Sequence, residues 1–363
     1  MSTQPLQRSP IHMAIGAALL LTVALAQAQS GFTVNTLTGA FYPNDQSERL
    51  DNDNKAYGNL PRFVLSAYLA GIIVDNSRPG YVQRSAVWPV STAATVAAAN
   101  RFSSAAGMST HAVSDNGVWQ GLYDYNSSGP KRANGTTITA AATVSGKGRP
   151  LDINNQGYMV GYVYQEGREI GHHWPTAQGV PLDCGGCFSN ALPLAVNNQG
   201  VVAGWGSYRD TPDSAVYNTP VLWRNGAVTW RGNSAQFGTN AWGVAINDAG
   251  TLVVNSHDRA VIYTVSAAGT VSQLPVQAGR AVARDINAAG VVVGKANDRA
   301  ALWINGQQFD LAAYLASKGV SQANTWQWLD IYDINDKGSM LVHYRLPTDA
   351  ANTVRKARLT AKP

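Results

Sequence analysis

Cysteine, charge and long apolar runs are all scarce in this chain of 363 residues. Two cysteines are too few for a disulfide-stapled small fold or a four-thiolate metal site. Charged residues make up only 13%, which argues against a disordered or coiled-coil chain. The 27 basic and 22 acidic side chains leave a net charge of +5. They are scattered rather than clustered, so neither nucleic acid nor a membrane surface is an expected partner. After residue 28 no stretch reaches the ~18 uninterrupted apolar residues that a membrane helix needs.

One apolar run does stand out, at residues 13–26 (MAIGAALLLTVALA). As a helix it would be about 21 Å long, short of the ~30 Å hydrocarbon core. Arg8 precedes it and Ala26-Gln27-Ala28 follows, which is the order of a secretory signal peptide cleaved after Ala28. The residue directly after that point is Gln29 and not a cysteine, so lipid attachment is not expected. Residues 29–363, with a net charge of +4 once Arg8 is lost, are expected to form one domain that is secreted or periplasmic and monomeric.

What the chain has in quantity is turn-formers: 35 glycines and 16 prolines, one residue in seven. This favours many short strands over long helices. A motif recurs, as AVSDNG ending at Gly117, DINNQG at Gly157, AVNNQG at Gly200, AINDAG at Gly250, DINAAG at Gly290 and DINDKG at Gly338, with intervals of 40, 43, 50, 40 and 48 residues. That period, without helical patterning, indicates propeller blades. The glycine supplies a positive φ at a hairpin and the asparagine closes the turn with its side chain.

The clearest unit reads RAVARDIN, a turn, VVVGKA, a loop, RAALWIN, a turn at Asn305-Gly306, then QQFDL. Four β-branched and aromatic runs split by turn signals make a four-stranded antiparallel blade. Aromatic landmarks on the third strand, at Trp88, Trp174, Trp223, Tyr263 and Trp303, bring the count to seven units, the first placed around Gly71. The expected fold is an all-β propeller of about seven blades, with six or eight also compatible. The last unit stops after its third strand, at KARLTAKP. FTVNTL at residues 32–37 has a fourth-strand pattern, so it is expected to pair beside residues 355–361 and close the ring.

In these residues the chain resembles the extracellular HAF-repeat proteins of bacteria, whose units run D-I-N-N-x-G-x-V-V-G, then an H-A-F-L-W strand, a glycine turn and D-L. DINNQGYMVGY, AVNNQGVVAGW and DINAAGVVVGKANDRAALWINGQQFDL carry the likeness, and the ending FDLAAYLASKGVSQANTWQWLDIYDINDKG is similar to that family's last repeat, with a short helical insertion. HHW, PVLW, AVIY and AALW stand where the family has its name-giving triplet. The resemblance implies an exported propeller-like fold and no agreed reaction.

Asp152, Asp285 and Asp333 open D-x-N-x-x-G sequences that look like the start of a calcium loop. The fifth position is Gln156, Ala289 or Lys337 and no glutamate ends the loop, so structural turns are expected and no metal is assigned. Cys184 and Cys187, spaced C-G-G-C in a loop, are expected to form a local disulfide, with redox activity or metal binding as alternatives. His111, His172, His173, His257 and His343 are dispersed on strands. No nucleophile elbow, H-E-x-x-H motif or phosphate-binding loop occurs, so no catalytic residue and no cofactor is assigned.

Trp205, Tyr208 and Arg209, read as the start of a long loop, together with Trp242 and Trp326 in the connections before blades five and seven, suit a binding rim. Flat rings stack on a ligand and arginine adds directed donors. The leading expectation is an exported, non-enzymatic propeller that binds a partner protein or polysaccharide through loops on one face. The alternatives are a propeller lyase or hydrolase using channel histidines and carboxylates, and a purely structural envelope protein.

Overall fold

The computed structural model describes strands at residues 32–36, 60–64, 68–75, 82–89 and 100–101. It also describes residues 108–361, apart from 117, 125–128, 135–136, 141–146, 278 and 351–354. The expected signal segment, residues 1–28, lies outside the described residues. Among the described residues no helix is long and apolar enough to cross a membrane.

The described strands pair into seven four-stranded sheets, every strand pairing antiparallel, and these are the blades of a β-propeller. The first strand of each blade is the inner one: Leu60–Val64, Met108–Val113, Gly148–Ile153, Ala191–Val196, Ala241–Ile246, Ala281–Ile286 and Trp328–Ile334. Each inner strand lies against the inner strands or near neighbours of the adjoining blades, and Leu60–Val64 lies against Trp328–Ile334, which completes the circle. Phe32–Thr36 is the fourth strand of blade 7. It pairs antiparallel with Arg355–Ala361 from Phe32 opposite Ala361 to Thr36 opposite Ala357, so the expected closure is what the chain forms.

Blade 6 divides as its sequence reads, into Ala281–Ile286, Val292–Ala296, Arg299–Ile304 and Gln307–Asp310. Gly71 differs from the reading. It lies within the second strand of blade 1, opposite Pro61, and is not the turn glycine. It matches Gly204, which stands opposite Pro193 in blade 4. There the inner strand bulges between Pro193 and Ala195, and a Cβ on Gly204 would run into the Leu192 carbonyl oxygen. Only glycine allows that approach.

The core lies between blades. Trp174, Trp223 and Trp303 on the third strands are fully enclosed. Trp223 of blade 4 packs with Val160 of blade 3, and Trp303 of blade 6 with Val253 and Ile262 of blade 5. The indole N–H groups donate to carbonyls of the entering connections, Trp223 to Asp183 at 2.7 Å and Trp303 to Pro275 at 2.8 Å. The helical insertion is the helix Leu311–Ser317 followed by a 3-10 turn, Ser321–Thr325. Its Leu311, Leu315 and Val320 cover blade 7.

Candidate functional site: the channel and its two mouths

Each inner strand of blades 3 to 7 ends in an asparagine turn. Asn154, Asn197, Asn247, Asn287 and Asn335 are buried, and the turn glycines that follow have φ between +71° and +78°. The asparagine oxygen accepts backbone N–H groups of its own turn; Asn197 takes those of Gln199 and Val201 at 3.1 and 2.9 Å. The amide then donates to the carbonyl of the same asparagine one blade on: 154 to 197 at 2.9 Å, 197 to 247 at 3.0 Å, 247 to 287 at 3.0 Å and 287 to 335 at 3.3 Å. One residue per repeat thus closes a hairpin and fastens two blades. In blade 2 Ser114 takes the place and closes only its own turn, by accepting from the Trp119 N–H.

Because these turns share one height, the acidic residues of the motif converge. Asp115, Asp152, Asp248, Asp285, Asp333 and Asp336 line one cavity of about 270 Å³ at this turn face. Asp152 accepts from Ile153 in its own strand and from Val196 of blade 4, and Asp285 from Ile286 and from Ile334 of blade 7. Their oxygens are spent on backbone donors, as structural turns require. Burial pushes Asp152 up to about 7, outweighing those hydrogen bonds. Burial also raises Asp285, against bonds from Asp333, Ile334 and Ile286. Asp115 is pushed up to about 6, by desolvation first and then by Asp336, Asp285 and Asp248. It keeps solvent access on the channel wall, which screens part of that effect.

These shifts carry a pH dependence with a definite sign. A carboxylate whose folded pKa lies above its unfolded value takes up protons more readily when folded, so acidification stabilises the fold. The melting temperature should rise between pH 8 and pH 6.5, with about 2 °C, on the order of 1 kcal/mol, coming from Asp152 and Asp285 acting in the same direction. Asp152→Asn should lessen that slope. Burial lowers His172 and His173, which opposes the gain below pH 6.5. Thermal melts across the range check this, and a melting temperature that falls from pH 8 to 6.5 contradicts it.

The opposite, loop face carries the connections between blades. Here a residue of one blade's second strand meets the inner strand of the next blade, and each seam uses different chemistry. Tyr123 of blade 2 lies under the Arg149 guanidinium of blade 3, 5.1 Å from the ring centre. Trp205 of blade 4 stacks on Trp242 of blade 5 at 5.4 Å and 15°. Asn255 of blade 5 brackets Ala283 of blade 6, accepting its N–H and donating to its carbonyl. Lys295 of blade 6 pairs with Asp330 of blade 7 at 2.8 Å.

The residues expected to form a rim therefore divide. Trp205 and Trp242 come together, both half-buried, but on strands Val201–Tyr208 and Ala241–Ile246 rather than on loops. Tyr208 ends the same strand on its other side. It is 1% exposed, its hydroxyl donates to the Cys184 carbonyl at 2.6 Å, and the Arg231 guanidinium covers its ring at 4.4 Å. Trp326 is 8% exposed and stacked on Tyr344 at 4.4 Å. Neither ring offers a free face to a ligand. Arg209 is exposed, over the Phe188 ring at 3.8 Å and donating to the Pro212 carbonyl at 3.0 Å.

Cys184 and Cys187 are disulfide-bonded, with Cα atoms 5.3 Å apart, in the loop that covers the seam between blades 3 and 4. His111, His257 and His343 stand apart from one another and from the adjacent His172 and His173. His111 lies edge-on to Tyr123, His257 to Trp242, and His343 is tilted on Tyr332. His172 and His173 are buried in blade 3, and the Tyr158 hydroxyl is 2.5 Å from His173 Nδ1. What sequence reading missed is the acidic mouth and the cationic pair at Asp330. A shared position in the repeat was the available signal for both.

Fold and channel together define a β-propeller. No protein-family model matches the sequence, and none of the curated proteins matches it. Similar solved structures include the β-propeller domain of the Trilobed protease from Pyrococcus furiosus, described as having an open velcro topology, with a TM-score of 0.52, 10% identity, and 83% of this chain and 94% of that one covered. Virginiamycin B lyase from Staphylococcus aureus, solved with quinupristin, gives 0.51 at 9% identity over 81% and 96%. The acylaminoacyl peptidase of Pyrococcus horikoshii gives 0.52 at 12% identity over 80% of this chain and 52% of its own, so the chain spans about half of that enzyme. At these identities the likeness is one of fold.

Proposed function

We propose that this chain is an exported, monomeric, non-enzymatic propeller of the HAF-repeat kind, which binds a partner protein or polysaccharide through its loop face. The observation that carries the reading is the stacked Trp205–Trp242 pair. The two indoles are stacked on each other and each is half-buried, so together they leave an apolar patch near the start of an inner strand, against which the apolar surface of a ligand can lie. A lyase or hydrolase reading draws on the two enzyme propellers of similar fold. It has less support, because the carboxylates gather at the turn face while the histidines lie elsewhere, each against its own aromatic or backbone partner.

A glycan and peptide array with residues 29–363 tests the proposal. Ligands retained by the wild type should bind Trp205→Ala about tenfold more weakly, while Trp205→Phe keeps part of the affinity, with melting curves to check that both variants fold. No retained ligand on either array, or retention unchanged in Trp205→Ala, overturns the reading.

A further inference from the structure

Blade 6 holds a second cavity, of about 220 Å³, lined by Arg280, Val282, Arg284, Lys295 and Asp298. Val282 and Lys295 are cross-strand partners, and Arg280 directly precedes the inner strand on the loop side. Three cations thus converge on a space smaller than the ~300–1,000 Å³ of an ordinary small-molecule pocket. It fits one charged group of a larger ligand.

The charges around it do not cancel. Asp330, whose side chain is 1% exposed, takes both Arg284 at 3.0 Å and Lys295 at 2.8 Å on one oxygen. The Tyr332 hydroxyl donates to the same oxygen at 3.0 Å, and the Ile331 N–H to the other at 2.9 Å. Two cations share one carboxylate, which leaves a positive charge at the cavity wall, and the Tyr332 ring under Arg284 at 4.2 Å fixes the guanidinium plane. Arg280 pairs with Asp298 at 2.9 Å, but these side chains are 67% and 76% exposed. So exposed a pair is weakly held, and an incoming carboxylate can displace Asp298 from Arg280.

Arg284 lines this cavity and also the acidic one, so it is the partition between them. An anion arriving from the loop face meets cations; one arriving from the turn face meets six carboxylates. The geometry points to an anion-binding subsite on the loop face, and we propose that it takes the carboxylate of an acidic polysaccharide, a uronate unit. This inference rests on the binding function proposed above. A sugar polymer is favoured over an acidic peptide because the same face carries the half-buried indole pair, whose remaining apolar surface suits the C–H face of a pyranose ring, while guanidinium and ammonium groups take the carboxylate.

Calorimetric titration of residues 29–363 with hexagalacturonate, with its fully methyl-esterified form and with hexaglutamate tests it. Hexagalacturonate should bind at least tenfold more tightly than the ester. Arg280→Gln and Lys295→Gln should each weaken it by about tenfold and leave ester binding unchanged. Arg280 is exposed and Lys295→Gln leaves Asp330 with Arg284 and Tyr332, so both variants should fold, and melting curves check this. Equal binding of acid and ester, with loss in Trp205→Ala, overturns the subsite and leaves the indole reading standing. Acid binding lost in Lys295→Gln but intact in Trp205→Ala supports the subsite and overturns the indole patch. Preference for hexaglutamate, or no binding of hexagalacturonate, overturns the uronate assignment, and the arrays decide the wider function separately.

Discussion

A chain lacking residues 32–37 should melt about 10 °C lower than residues 29–363, and a peptide spanning 29–40 added in excess should restore part of the loss. The strand Phe32–Thr36 pairs the N-terminal end of the described chain directly with its last strand, in addition to the packing of Leu60–Val64 against Trp328–Ile334. Removing it breaks a five-residue ladder and uncovers Phe32's site beside Tyr314 together with the buried Leu359 and Ala357. Lost ladder bonds at about 1 kcal/mol each and one buried aromatic at about 2 kcal/mol give several kcal/mol before the relief of chain entropy. The truncated ring also exposes Arg355–Ala361 as an unpaired edge, which invites pairing between copies, so light scattering should rise as stability falls. An unchanged melt would show that blade 7 holds without its fourth strand.

Asn197→Ala should be the most damaging single substitution on the turn face, at about 3–5 kcal/mol or 6–10 °C. The side chain is buried and makes three bonds: two accepted from Gln199 and Val201 and one donated to Asn247. Alanine leaves all three backbone groups without their partner, at about 1–3 kcal/mol for each that water cannot reach. Asn197→Asp separates the two roles. It keeps both acceptors but sets a carboxylate against the Asn247 carbonyl, so it should remain destabilising by more than 1 kcal/mol. Asn155→Ala is the control, since its side chain takes one exposed bond, from the Asn116 N–H, and should cost less than half as much. Chemical denaturation of the three variants checks the ranking, and equal stability of Asn197→Ala and Asn155→Ala would refute the fastening role.

The blades were readable because their signals are local. N-x-x-G marks a positive φ, the tryptophan of the third strand marks the buried row, and both recur at the blade period. The second strand of blade 4 was misread for a local reason too. VVAGWGSY carries two glycines that look like a loop opening, yet Gly204 is needed beside the bulge at Pro193 and Ala195, and the strand runs on to Tyr208. Trp205 therefore faces a seam and not a loop tip. The acidic mouth was not readable from any single repeat. Asp152, Asp285 and Asp333 look like three separate turns until the ring brings positions 40–50 residues apart to one height. The pairing of Lys295 and Arg284 with Asp330 has the same origin, because it joins a second strand and an inner strand to the next blade across a distance that no local pattern encodes.

Phe32 stands opposite Ala361, so both ends of the folded ring leave from one spot on the outer edge of blade 7. The third strand of a blade runs toward the turn face, so that spot is on the side of the carboxylates. Anything joined to either end, whether more chain or an anchoring surface, holds the ring by its rim from the acidic side. The indole pair and the cationic cavity then point away from the attachment, open to whatever approaches from outside.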